Sequence, residues 1–248
     1  MPQPKFLMLH LVANYPTPKI FKQSLLQILA FEPQYLEIQY PFTNPLADGK
    51  TIYDANQIAV KYTQSLSQML QMVKKIYVQT NSSTKLILMT YFTPLSVLKC
   101  EEVVDMLVTN NFEGMIVPDL SFGTPEQKQY SQMFQNHNLE LIPVIAPNTP
   151  PERLQFIKSF CKPNQVIYAT ARSGQTGQQT AMTSQITEYI QGLQATFEQQ
   201  KIALGFGIST HTQVTQIQNM SVIPVIGSAI VKAIENGDLE NKLKEIGG

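Results

Sequence analysis

A single (β/α)8 barrel of the TIM type is what this 248-residue chain predicts, on three observations. Eight short apolar runs recur along it, and an amphipathic segment follows each. No linker or compositional break divides residues 1–248 into two domains, and the length suits one barrel. An open doubly wound sheet also alternates strands with helices. Eight regular repeats, with no GxGxxG after the first run, weigh against it.

The elements follow in order. FLMLHLV (6–12) is the first strand, stopped by Asn14 and Pro16. The opening MPQPKFLMLHLVANYP is too short for a membrane span and lacks a signal peptide's small-residue cleavage site. SLLQILAF carries the first helical stripe. YLEIQ (35–39) is the second strand, followed by the long stripe TQSLSQMLQMVKKIYV. KLILMT (85–90) ends at a Tyr-Phe-Thr-Pro loop, and SVLKCEEVVDMLVTN follows, opening on serine. GMIVP (114–118) stops at a proline. The next helix, PEQKQYSQMFQNH, opens on another, where a missing N–H costs nothing. LELIPVI (139–145) leads to PERLQFIKSF, and QVIYATA (165–171) to SQITEYIQGLQATF. KIALGFG (201–207) leads to THTQVTQIQNM, and VIPVIG (222–227) to GDLENKLKEI. The strand runs are almost continuously apolar, as parallel strands covered on both faces are. Several helical stripes open on Ser, Thr, Asp or Pro, the residues that start helices.

Composition narrows the function. The 18 basic and 18 acidic residues cancel, and the pI near 6.8 leaves no field to attract nucleic acid or an anionic membrane. Cys100 and Cys161 have no CxxC spacing; two reduced thiols packed in helices fit a cytoplasm. His10, His137 and His211 have no clustered acids or cysteines beside them, so no metal site is expected.

In such a barrel chemistry sits at the strand C-termini, and a phosphate is often held after strands seven and eight. The seventh run ends Gly205-Phe206-Gly207-Ile208-Ser209. The eighth ends Gly227-Ser228, followed by a short helix-like turn from Ala229 to Lys232. Glycines let backbone N–H groups approach an anion, and a helix N-terminus adds a favourable dipole. A Gly-Ser pair alone is an ordinary turn; both loops together point to phosphate. The loop Arg172–Gly177 is long and glycine-rich enough to close as a lid. Glu37 stands inside the apolar second run, and Asp48 follows eleven residues later in an Ala-Asp-Gly loop. A structural acid would need a basic partner. Lys85 and Lys201 open their strands at the far end, so catalysis is the favoured role for Glu37. Asp48 by itself could be a plain Asp-Gly turn residue.

These pieces resemble the tryptophan synthase alpha chain family. LEIQYPFTNPLADGKTI matches the family's L-E-L-G-x-P-F-S-D-P-x-A-D-G-P-x-I, LILMTYFTP its L-M-T-Y-x-N-P, and GMIVPDLSF its G-x-I-V-P-D-L-P. ARSGQTG matches S-R-x-G-V-T-G, and LGFGIS with IGSAIVK match the closing phosphate loops. The similarity runs from Phe6 to about Ile246, motifs in order. The resemblance implies cleavage of indole-3-glycerol phosphate to indole and glyceraldehyde 3-phosphate, without metal or cofactor in this chain. It implies a beta-chain partner carrying pyridoxal phosphate, in an alpha2-beta2 heterotetramer. It makes Glu37 the acid–base glutamate and Asp48 the second catalytic carboxylate. Tyr91, Asp119, Tyr168, Thr176 and Phe206 become substrate-site residues, with Thr176 meeting Asp48 as the lid closes. Gly177, Gly207, Gly227 and Ser228 become the phosphate cradle.

The chain also departs from the pattern. Gln39 stands where the family has glycine, on the same side of its strand as Glu37. A long amide there takes space, and its expected neighbours are Glu37 and the loop after the first strand. VANYP replaces T-A-G-D-P. Asn44, Thr93 and Ser121 replace a family Asp, Asn and Pro in loops that face the beta chain, and no leading helix precedes the first strand. A second reading therefore stands beside the lyase: a weakly catalytic barrel acting mainly as binding partner and activator of a beta chain. A third, a phosphate-binding barrel with another isomerase or lyase substrate, fits the ordered motifs least.

Overall fold

The computed structural model describes residues 5–170, 183–205 and 207–248. β1 (Lys5–Val12) and α1 (Pro18–Phe31) form the first unit. The Thr17 side chain accepts from the Ile20 N–H, and Pro18 occupies the first turn. Next come β2 (Pro33–Gln39), α2 (Lys50–Ala59), a 3-10 turn (Val60–Tyr62) and α3 (Leu66–Thr80), which opens on a Ser65–Gln68 capping box. β3 (Lys85–Met89), α4 (Phe92–Leu95) and α5 (Cys100–Thr109) precede β4 (Phe112–Ile116) and α6 (Pro125–Asn136). β5 (Glu140–Ile142), β6 (Val144–Ile145) and α7 (Pro151–Lys158) lead to β7 (Val166–Thr170) and α8 (Ser184–Thr196). β8 (Lys201–Gly205), α9 (His211–Gln218), β9 (Ile223–Ile226), α10 (Ser228–Glu235) and α11 (Leu239–Gly247) complete the chain.

All strands pair in parallel, in the order β5-β4-β3-β2-β1-β9-β8-β7-β6. β5 and β6 are two halves of the expected fifth strand, separated by Pro143, which has no N–H to give a ladder. One half pairs with β4 and the other with β7, so the sheet comes round on itself as the predicted barrel. β7, β8 and β9 are thus the sixth, seventh and eighth barrel strands. The eight predicted helical stripes are helical. The reading assigned nothing to residues 50–59, which form α2 on a buried stripe of Ile52, Ala55, Asn56 and Ala59. The turn expected after Ser228 is a full two-turn helix, α10. Cys100 opens α5, but Cys161 lies just beyond α7 rather than in a helix; both are free thiols.

The continuous apolar runs divide into two cores by strand alternation. Leu7, Leu9 and Leu11 of β1, with Leu36 and Ile38 of β2, face the helical ring. Met8 and Tyr35 face the barrel interior with Ile87, Met89, Ile116 and Ala203. That interior leaves little room. A Cβ on Gly114 would stand 2.5 Å from the Glu140 carbonyl oxygen, a backbone atom of the neighbouring strand that cannot turn aside. Gly114→Ala is expected to lower stability by about 1–3 kcal/mol, read from urea denaturation midpoints. An unchanged midpoint would show that β4 and β5 can part freely.

Candidate active site

The inward row of β2 runs Tyr35, Glu37, Gln39, from the filled interior to the mouth. Parallel register sets His10 of β1 directly beside Glu37. Both are buried, and His10 Nδ1 lies 3.2 Å from Glu37 Oε2. The expectation that Glu37 has no basic partner in the strands is therefore corrected: its partner is a histidine on the adjacent strand. Burial alone would lower the pKa of His10. The Glu37 charge and hydrogen bond, the Asp48 charge and the Gln39 amide outweigh it, and the pKa is raised above 6.5.

Gln39 is fully buried, and its amide makes a different contact from the one expected. Its Nε2 donates to Asp48 Oδ2 at 2.7 Å, while its backbone carbonyl accepts from Ala13 N–H in the loop after β1. Asp48 is only 7% exposed, which no plain turn residue needs to be. Burial pushes its carboxyl up to about 6, against hydrogen bonds from Gln39 and Tyr91 and the His10 charge, and the Glu37 charge adds to the rise. The loop is tied down by Tyr91, whose hydroxyl accepts from Ala47 N–H at 3.0 Å and whose ring stacks on Phe42. The Tyr168 hydroxyl stays protonated, because burial and the two nearby carboxylates raise its pKa well above the usual range.

One cavity, with about 730 Å³ of empty space including its mouth, joins these groups. His10, Glu37, Asp48 and Tyr168 line it. Met89, Ile116, Val144 and Ile208 supply apolar wall, and Gly207, Gly227 and Ser228 lie along the same cavity. Gly207 has φ +81, a conformation that side-chain-bearing residues rarely adopt. Ser228 is the first residue of α10, so the helix N-terminus opens here.

The sequence candidates divide. Glu37, Asp48, Tyr168, Gly207, Gly227 and Ser228 come together around the cavity. Tyr91 and Asp119 are not in its wall. Tyr91 holds the Asp48 loop, and Asp119 Oδ1 accepts from Phe92 N–H at 2.8 Å, linking the loops after β3 and β4. Thr176, Gly177, Phe206 and the lid loop lie outside the described residues. Sequence reasoning missed His10. The signal available was a lone histidine in an inward strand position, without the register that sets it against Glu37. Among the described residues no group of three His, Cys, Asp or Glu could hold a metal ion, and no helix is long and apolar enough to cross a membrane.

A family model described as tryptophan synthase alpha chain matches residues 3–246. A tryptophan synthase alpha chain of Leptospira borgpetersenii is 32% identical over 204 residues, covering 81% of this chain and 74% of that one. One from Petrotoga mobilis is 29% identical over 244 residues, covering 98% and 92%. A solved tryptophan synthase alpha-subunit from Pyrococcus furiosus superposes with a TM-score of 0.84 at 26% identity, covering 97% and 96%. A chain of the Mycobacterium tuberculosis tryptophan synthase superposes with a TM-score of 0.86 at 22% identity, covering 98% and 91%.

Proposed function

The chain belongs to the tryptophan synthase alpha chain family, and from that premise we propose that Glu37 and Asp48 are the two catalytic carboxylates of its cavity. The activity is that of an indole-3-glycerol phosphate lyase, the alpha subunit of tryptophan synthase in tryptophan biosynthesis. It releases indole and glyceraldehyde 3-phosphate by retro-aldol cleavage. The observation that carries the site assignment is the single cavity joining both carboxylates to Gly207, Gly227 and Ser228.

Glu37 protonates C3 of the indole, which makes the ring an electron sink, and takes the proton of the side-chain hydroxyl as the C–C bond breaks. Asp48, ionised above about pH 6, accepts the indole N–H and stabilises the positive charge that grows on the nitrogen. The apolar wall takes the ring, with Tyr168 beside it; the family pattern adds Phe206. Gly207, Gly227 and Ser228 hold the phosphate; the family pattern assigns Gly177 to the same anion and Thr176 to Asp48. Tyr91 and Asp119 support the loops that carry this machinery. The chain acts as one domain in the cytoplasm and needs no cofactor of its own. Its partner is a beta chain carrying pyridoxal phosphate, in an alpha2-beta2 heterotetramer. Leu46 is 71% exposed and Val97 84%, in the loops after β2 and β3, and these suit that docking face.

The reading as a mere activator rested on Gln39 crowding the substrate. Gln39 holds Asp48 and is absent from the cavity wall, so that reading loses its ground. The deciding experiment is indole release from indole-3-glycerol phosphate by the isolated chain, then with a beta chain added. Measurable release that rises with the beta chain is expected; none in either condition would overturn the lyase reading. Ser228→Asp is expected to weaken glycerol-phosphate binding at least about tenfold in titration calorimetry, by like-charge repulsion. Unchanged affinity would put the anion elsewhere.

A further inference from the structure

A histidine in the inward row of a barrel strand is an expensive choice. Most of the barrel interior is apolar, and burying an imidazole without partners costs free energy. His10 is 3% exposed, lines the substrate cavity, and has one partner for Nδ1, the Glu37 carboxylate at 3.2 Å. Its other nitrogen, Nε2, is buried with no hydrogen-bond partner among the described residues, and so is Gln39 Oε1. The Gln39 amide lies against the imidazole, and its Nε2 binds Asp48. Glu37, His10, Gln39 and Asp48 therefore form one polar group beside the cavity, with both carboxylates in it.

Among the described residues the charges facing His10 are all of one sign. Glu37 faces it from β2 and Asp48 from the loop after β2, while Tyr168 of β7, close to both carboxylates, stays neutral. Gly227, which lies against His10 before α10, brings no titratable group. Two carboxylates without a counter-charge would repel an incoming phosphate ester. A protonated His10 halves that charge.

We propose that His10 is the proton-holding partner of Glu37, so that the acid–base unit of the lyase is the imidazole–carboxylate pair rather than the glutamate alone. This rests on the catalytic role proposed for Glu37. In the resting site the pair holds one proton, on His10 Nδ1. It passes to the Glu37 carboxylate and from there to indole C3, leaving a neutral imidazole, still protonated at Nε2, beside an ionised carboxylate. The carboxylate then takes the proton of the substrate's side-chain hydroxyl, whose oxygen becomes the aldehyde carbonyl. The electron pair of the breaking C–C bond restores the ring double bond and neutralises the nitrogen. The proton returns to Nδ1, and the pair ends as it began. His10 acts through Glu37 and touches no reacting atom, so it is a positioning residue.

His10→Asn separates the roles. Asparagine can place an amide N–H near the position of Nδ1 and donate to Glu37, but it cannot hold the shared proton. The variant is expected to keep its KM within about twofold and lose at least about tenfold in kcat. A raised imidazole pKa keeps the proton available below it, so wild-type kcat falls only as pH rises through that value. In His10→Asn the fall should begin at least about one pH unit lower. Unchanged kcat and an unchanged profile would reduce His10 to structure. A second measurement does not use activity: 15N NMR titration of His10 in the wild type and in Glu37→Gln. Expected are an imidazole pKa above 6.5 in the wild type and a fall of at least about one unit in the variant, where burial is opposed by less charge. A pKa indifferent to Glu37 overturns the pair. A coupled pKa in a chain that releases no indole, even with a beta chain, overturns the lyase reading and leaves the pair standing.

Discussion

Glu37→Gln is expected to abolish indole formation, by at least about a hundredfold in kcat, while the chain stays folded and still binds glycerol phosphate. The amide is nearly isosteric with the carboxylate, so the inward row of β2 keeps its shape. It cannot deliver a proton to C3 or take one from the hydroxyl, and positioned acid–base groups contribute about 10²–10⁴ in rate. The fold should tolerate the change, because His10 can shed its proton and leave no unpaired buried charge. The check is steady-state indole release beside thermal unfolding and ligand titration of the same preparation. Near-normal turnover would remove Glu37 from the mechanism.

Asp48→Asn is expected to move activity and stability in opposite directions. Its carboxyl is carried from the ordinary 3.8 to about 6, chiefly by burial. A group whose folded pKa is raised contributes stability below its unfolded pKa and loses it as pH rises through the folded one. The native state therefore pays only about 0.5 kcal/mol for Asp48 at pH 4, and about 3 kcal/mol at pH 8, where the carboxylate is ionised in a dry site. Asparagine removes that cost, and its amide oxygen can still accept from Gln39 Nε2. Urea denaturation should find the variant more stable by about 2–3 kcal/mol at pH 8 and nearly equal to wild type at pH 4. An equal difference at both values would mean that the Asp48 charge is not what strains the fold. Turnover should fall by about tenfold or more, since the negative charge proposed to stabilise the indole nitrogen is gone. A site that strains its own fold for the sake of its chemistry follows a common trade.

The barrel was legible in the chain because its information is local. Near-continuous apolar runs, helical stripes opening on Ser, Thr and Pro, and glycines at the seventh and eighth strand ends each depend on a handful of neighbouring residues. Glu37 stood out for the same reason, as one carboxylate in an apolar strand. Strand alternation also put Gln39 on the side of Glu37, where it lies. Other features needed the third dimension. The break at Pro143 and the buried stripe of α2 were overlooked, since a short split strand and a loop-like opening Lys-Thr-Ile hardly differ from connecting chain.

By itself, then, the sequence determined the barrel, the acid at its centre and the glycine loops, for these follow from backbone preference and burial pattern over a few residues. Tertiary structure alone decided who touches whom. The register of β1 against β2 put His10 on Glu37, and the fold of the loop after β2 carried Asp48 onto Gln39 and under Tyr91. Those contacts join residues 9 to 44 positions apart, or neighbours on different strands, and no local preference encodes them. The pKa values follow from the same contacts, because burial and neighbouring charge exist only once the chain has closed round the site.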